Sequence, residues 1–269
     1  MTGIRRIDGI ARKLWIMSIA LTALVLSGPI RADWTEDFDA GFDQTWTFLA
    51  IDDDGEPPST GVSEFEIIDA GVDDYLRMSH STTAVAGGGG GASDLFGYVN
   101  ETFTDSLLSA DINSAPGDGP QNILGIFGRG NSVAGTAYIA GVDFANSFFA
   151  IVAADNFFDS LFILASDPTV VIDSNETYRV EFLLIDAYLF ARLTETSSGD
   201  VVSTLMAQDN FYTSGFSGLF VETEYDGVDP VAPAIGSFDK VQAVPESSMV
   251  GMLFWGGGGL ALLWRKRQT

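Results

Sequence analysis

The chain has 269 residues, with 13 Lys and Arg against 37 Asp and Glu, a net charge of −24 at pH 7. Cysteine is absent and His80 is the single histidine, which excludes disulfide staples, thiolate zinc centres and motifs built on two histidines. Between residues 33 and 248 the basic residues are Arg77, Arg129, Arg179, Arg192 and Lys240, while every acid except Asp8 falls in that span, which leaves it at −31. Such a field repels nucleic acid and anionic lipid and favours cations.

In chain order, the first segment has the form of a secretory signal peptide. Arg5, Arg6, Arg12 and Lys13 precede an apolar stretch from Leu14 to Leu26, broken only by Ser18 and Thr22. It has the length of a signal h-region and falls short of the roughly 20 residues of a comfortable membrane span. A cut after Ala32 by signal peptidase leaves residues 33–243 as one domain; an uncleaved N-terminal anchor is the alternative.

The domain opens on an acidic aromatic phrase from Trp34 to Trp46 and an acidic cluster from Asp52 to Glu56. That cluster lacks the ligand spacing of a calcium loop. From Ser63 onward, short β-branched and aromatic runs alternate with Gly, Asn, Asp and Ser. Strands are expected at 63–69, 75–80, 95–103, 107–113, 121–128, 136–144, 147–154, 160–165, 177–185, 187–195, 200–208, 216–224 and 235–243. In 177–185, Tyr178, Val180, Phe182 and Leu184 share one face and Arg179 and Glu181 the other. Asp186-Ala187 then makes a tight hairpin into the next strand. Gly87 to Gly91 is a flexible connector, since no Lys-Ser/Thr follows it as in a phosphate loop. No stretch keeps a helical period over 12 residues, so the expected class is all-β, an antiparallel two-sheet jelly-roll sandwich. The chain's 20 phenylalanines are expected chiefly to fill its core. Doublets such as Phe148-Phe149 send one ring inward and one outward.

The tail is tripartite. Val244-Pro245-Glu246 leads into an apolar segment from Met249 to Trp264, closed by Arg265-Lys266-Arg267. The basic cluster stays cytoplasmic under the positive-inside rule if 249–264 spans the membrane. This arrangement resembles the PEP-CTERM sorting signal of exopolysaccharide-producing Gram-negative bacteria, although Ser247 stands where that family carries a second Pro. The resemblance implies a membrane-anchored precursor, an exosortase-type membrane protease as partner, and delivery to the cell surface or extracellular matrix. A plain tail anchor is the alternative.

The body is similar to concanavalin A-like and laminin G-like jelly rolls. The phrases that carry this are Trp34 to Trp46, Tyr178-Arg-Val-Glu-Phe, Ser214 to Phe220, and the closing Gly236-Ser-Phe-Asp-Lys-Val241. The resemblance implies paired terminal strands, which would bring Asp37 or Asp39 near Asp239, and one structural Ca²⁺ held by their oxygens. A solvated acidic strand start is the alternative. One jelly-roll glycosidase family carries Glu-x-Asp-x-x-Glu, and Glu64, Glu66 and Asp69 have that spacing with the last two types exchanged. Glu64 and Glu66 share a face, and Asp69 needs a bulge to join them. His80 lacks a nucleophile elbow around it and reads as a strand-end residue.

The function expected is an exported, non-catalytic surface or matrix module that contacts exopolysaccharide. A jelly-roll hydrolase or lyase and a purely structural surface protein are the alternatives.

Overall fold

The computed structural model describes residues 34–39, 41–42, 44–52, 62–69, 74–81, 93–113, 122–155, 160–223 and 234–245. The strands are β1 (Trp34–Glu36), β2 (Trp46–Asp52), β3 (Val62–Ile68), β4 (Tyr75–Ser81), β5 (Ser93–Phe103), β6 (Ser106–Asn113), β7 (Asn122–Asn131) and β8 (Thr136–Asp143). They continue with β9 (Phe148–Asp155), β10 (Ser160–Asp167), β11 (Tyr178–Ile185), β12 (Tyr188–Glu195), β13 (Val201–Gln208), β14 (Gly215–Thr223) and β15 (Ala234–Pro245). Every strand expected from Ser63 onward forms, with bounds shifted by at most a few residues.

The strands pair antiparallel into two sheets. The eight-stranded sheet runs β13-β12-β11-β6-β15-β4-β3 with β1 added on β15, and the seven-stranded sheet runs β10-β9-β8-β7-β14-β5-β2. This is the all-β, two-sheet jelly-roll sandwich that the sequence predicts. Ala32–Pro245 forms one compact unit. The expected signal peptide (1–32) and the chain from Glu246 onward lie outside the described residues, and with them the apolar stretches 14–26 and 249–264. Among the described residues no helix is long and apolar enough to cross a membrane.

The two inward faces build one core. From the eight-stranded sheet, Tyr178, Val180, Phe182 and Leu184 of β11 are buried as the alternation requires. From the seven-stranded sheet, Leu124 and Ile126 of β7, Tyr138 and Ala140 of β8, and Leu219 and Val221 of β14 meet them. Each large apolar side chain buried this way contributes about 1.5–3 kcal/mol, so a domain without disulfides has an adequate source of stability. The doublet rule holds at β9, where Phe149 is buried and Phe148 is half-exposed.

The opening phrase folds around Phe38. This residue has φ 60° and is fully buried, against Phe42 at 5.9 Å and Trp46 at 6.4 Å. Its insertion leaves the flanking Asp37 and Asp39 in solvent. Trp46 and Phe48 of β2 stack at 6.2 Å, and Phe48 lies 3.8 Å from Phe65 on the opposite sheet. The strand expectations did not include β2. Those expectations began at Ser63, whereas β2 runs from the end of the Trp34–Trp46 phrase to the start of the acidic cluster at Asp52.

The last strand also ends later than expected. Val244 and Pro245 continue β15, paired with Leu107 and Ser106 of β6, so the strand runs two residues past the expected end at 243. Val244 is 3% exposed.

One buried guanidinium ties a corner of the sandwich together. Arg129 lies at a bulge where β7 changes register against both β8 and β14, with φ 54°. Its Nε donates to the Thr104 carbonyl (2.7 Å), and its Nη1 to the carbonyls of Asp186 (2.7 Å) and Tyr212 (3.1 Å). Nη2 donates to Asp105 Oδ1 at 2.9 Å. Asp105 also accepts the Asp186 backbone N–H at 2.9 Å. The β5–β6 turn, the β11–β12 hairpin and the β13–β14 connection are thus held by one side chain. Beside it, Tyr138 donates its hydroxyl to Asp209 and accepts the Tyr212 N–H. Burial, and then the bond to Asp209, hold the Tyr138 phenol well above its ordinary pKa.

At the opposite edge Asp167 bridges the sheets. It ends β10 and accepts from Ser203 of β13 at 2.8 Å, and from the Thr169 hydroxyl (2.7 Å) and N–H (3.0 Å). The bonds from the Thr169 and then the Ser203 side chains hold its carboxyl below the usual range. A depressed carboxylate pKa contributes stability above the unfolded value, and that stability is lost as pH falls through the folded value. Asp167→Asn is therefore expected to flatten the stability–pH curve below about pH 4, as read by denaturant titrations at each pH. A curve parallel to that of the parent chain would show that the bridge carries none of the acid sensitivity.

Candidate functional site

The outer faces of the two sheets differ. On the eight-stranded sheet, the buried neighbours Leu76 and Met78 turn Arg77 outward, and Arg179, Arg192 and Lys240 share that face with acids. Arg179 grips Asp111 with two bonds of 2.7 and 3.0 Å, Arg192 pairs with Glu181, and Lys240 reaches Asp239 at 2.7 Å. Arg77 sits opposite Glu66 in the ladder. Four of the five basic residues of the body are thus spent here, and the fifth is the buried Arg129.

The outer face of the seven-stranded sheet carries no basic residue. Its cross-strand rows read from the register. One row runs Leu49, Phe96, Phe220, Gly125, Gly141, Ala150, Ser166, from β2 to β10. Large side chains fill one half of this row, and small ones leave a lane in the other. Gly125 and Gly141 face each other there, and a Cβ on Gly125 would lie 2.4 Å from the Ala140 carbonyl oxygen. The next row runs Thr47, Tyr98, Gly218, Phe127, Ile139, Val152, Ile163.

Aromatic rings concentrate where β5, β14 and β7 adjoin. Phe96 meets Phe127 edge-on at 5.5 Å and Phe220 at 5.1 Å, and all three rings are buried. Above them Tyr98 and Phe216 stack at 5.0 Å with a 17° interplanar angle and remain half-exposed. They stack across Gly218, which has no side chain to separate them. A pocket opens at this place, floored by Tyr98, Phe216, Phe127 and Leu49. Asn131, Ser132 and Thr136, where β7 gives way to β8, also border it and bring no charge, and the surface open within it is apolar. Asn131 accepts the Val133 and Ala134 N–H groups at 3.0 Å through Oδ1, which leaves its NH₂ as a donor. Half-exposed stacked rings beside the exposed Asn131 amide suit a ligand with an apolar face and a polar edge.

The acids of this face gather in the row that crosses Ile123, where Glu222 and Asp143 lie on either side of it and Asp94 is the ladder partner of Glu222. Asp143 is committed to its own turn, accepting from Ala145 N, Asn146 N and Asn146 Nδ2 at 2.8–2.9 Å.

The residues singled out by the sequence lie elsewhere. Glu64 and Glu66 sit on β3, the edge of the eight-stranded sheet, both exposed, with the intervening Phe65 packed on the core. Asp69 is exposed just beyond the strand. These three are near in sequence but on the sheet opposite the aromatic face. The paired termini expected for the calcium site do form, with Trp34, Thr35 and Glu36 opposite Ala243, Gln242 and Val241. The acids there are engaged separately: Asp39 accepts the Asp74 N–H at 3.0 Å, and Asp239 holds Lys240. Among the described residues no group of three or more His, Cys, Asp or Glu is placed to hold a metal ion. His80 lies at the end of β4, as expected of a strand-end residue. Of the residues expected to form a sorting signature, Val244 and Pro245 belong to β15, while Glu246, Arg265, Lys266 and Arg267 lie outside the described residues.

Fold and face together define a jelly-roll sandwich with an aromatic, cation-free outer sheet. Solved structures share the fold. The carbohydrate-binding module CBM66 from Bacillus subtilis superposes with a TM-score of 0.51 at 16% identity, over 75% of this chain and 96% of that one. A prokaryotic β-1,3-1,4-glucanase (lichenase) derived from a mouse hindgut metagenome gives 0.50 at 14% identity, over 79% and 99%. No protein-family model matches the chain, and no curated protein sequence matches it.

Proposed function

We propose that this chain is an exported cell-surface or extracellular-matrix protein of a Gram-negative bacterium whose sandwich is a non-catalytic, exopolysaccharide-associated module. The observation that carries the binding role is the half-exposed, stacked Tyr98–Phe216 pair beside the exposed Asn131 amide. A sugar ring presents C–H groups to an aromatic face and hydroxyls to an amide beside it. The fold shared with a carbohydrate-binding module supports the same direction. Export rests on the signal-peptide form of residues 1–32. Surface delivery rests on the PEP-CTERM-like tail, with signal peptidase and an exosortase-type protease as the processing partners.

The distribution of charge narrows the ligand. With no cation on this face and a body at −31, an anionic polysaccharide is repelled, so the ligand is a neutral glycan. Its affinity should depend little on salt, because no counterions are released on binding.

The test is binding of the exported body to a panel of neutral and acidic polysaccharides, with reducing-sugar release followed in parallel. Phe216→Ala is expected to weaken neutral-glycan binding at least about tenfold, equivalent to 1.4 kcal/mol. Unchanged affinity in that variant, or preference for uronic-acid polymers, would overturn the assignment of this face. Sugar release that Glu64→Gln or Glu66→Gln abolishes would replace the module with a hydrolase.

A further inference from the structure

We infer that the sandwich shields its own sorting signature, so that tail removal requires the end of β15 to lift from β6. This rests on the sorting role proposed above, with Val244-Pro245-Glu246 as the processed region. Two of those three residues belong to the last strand of the fold. Val244 lies opposite Leu107 and Pro245 opposite Ser106, and Val244 is 3% exposed. The partner strand is firmly held at this point. Ser106 is fully buried and follows Asp105, which the Arg129 guanidinium fixes. Only Glu246, Ser247 and Ser248 separate the strand from the apolar segment beginning at Met249. Three extended residues reach about 10 Å. A protease at the membrane surface therefore meets the folded sandwich directly before its cut region.

Proteases bind substrates as extended chain, so a bond next to a paired strand is cut in proportion to the population in which that strand end is open. Folding then sets the rate of release. A body still unfolded after export presents the signature freely, whereas a folded one presents it only through local opening.

The test uses the purified full chain in detergent and a proline-specific endopeptidase, with release of the tail after Pro245 followed by mass. In a variant with a ten-residue Gly/Ser spacer between Ala243 and Val244, spacer residues occupy the ladder and Val-Pro-Glu moves out unaltered. Release from this variant is expected to be at least tenfold faster than from the parent chain. A second variant needs no comparison between folds. Ser109→Cys with Gln242→Cys pairs two register partners in a chain that otherwise has no cysteine. The oxidised form is expected to release the tail more slowly than the same protein after reduction. Equal rates in either comparison overturn the inference. The same proteins in the producing cells test the sorting role separately: a tail retained on parent and spacer variant alike defeats that role, whatever the rates in detergent.

Discussion

Arg129→Met is expected to lower the stability of the sandwich by about 3–5 kcal/mol in guanidinium unfolding, a large part of the 5–15 kcal/mol typical of a folded domain. The loss has two sources. The Asp105 carboxylate, 8% exposed as a residue, is left without its cation. The carbonyls of Thr104, Asp186 and Tyr212 also lose the donor that reached them at 2.7–3.1 Å. Lysine does not rescue the site, because its point charge lacks the planar fork that serves four acceptors in different directions. The charge contribution is separable. Asp105→Asn keeps an oxygen for the Asp186 N–H while removing the negative charge. The double variant Asp105→Asn/Arg129→Met should therefore be more stable than Arg129→Met alone. A single variant within about 1 kcal/mol of the parent would mean that water replaces the guanidinium freely at this corner.

Gly218→Ala is the second large effect, and it reaches the proposed binding face as well as the fold. A Cβ on Gly218 would lie 2.0 Å from the Gly97 carbonyl oxygen and 2.8 Å from the Tyr98 Cα. Both are backbone atoms of the paired strand, so relief requires β14 and β5 to separate. Overpacking of this kind costs roughly 1–3 kcal/mol, and backbone against backbone belongs at the upper end. The same displacement parts Tyr98 from Phe216, so neutral-glycan binding should fall together with stability. Gly141→Ala is the matched control: its nearest neighbour would be Ile123 Cγ2 at 3.4 Å, an ordinary contact. Thermal melts and glycan binding of the two variants check this. Equal tolerance would mean that the ladder at Gly218 yields more easily than its backbone contacts imply.

Glycine also explains why the candidate site was hidden in the sequence. Glycines read as turn punctuation, yet Gly125, Gly141 and Gly218 sit inside strands, where they set strand approach and make room on a face. The aromatic face was obscured in a second way. Leu95-Phe96 and Leu219-Phe220-Val221 are apolar at consecutive positions, because both faces of the seven-stranded sheet are apolar there. Alternation reveals a buried face only when the opposite face is polar. In the first half of β11 it is polar, at Arg179 and Glu181, and the sequence placed all of Tyr178, Val180, Phe182 and Leu184 correctly. The candidate acids Glu64 and Glu66 show the complementary limit. Their spacing was visible, but nothing local stated that their strand would be the edge of the other sheet.

By itself, the sequence determined the all-β class, the existence and extent of the strands from Ser63 onward, the β11–β12 hairpin and the strong negative field. Each of these is written in neighbouring residues, through a period of two, turn chemistry or summed charge. Only the tertiary structure decided the strand order, the corner held by Arg129, the placement of the other four basic residues of the body on one sheet, the Tyr98–Phe216 stack and the capture of Val244 and Pro245 by β6. Each of these depends on partners distant in the chain, and their pairing is fixed by how both sheets close over one core.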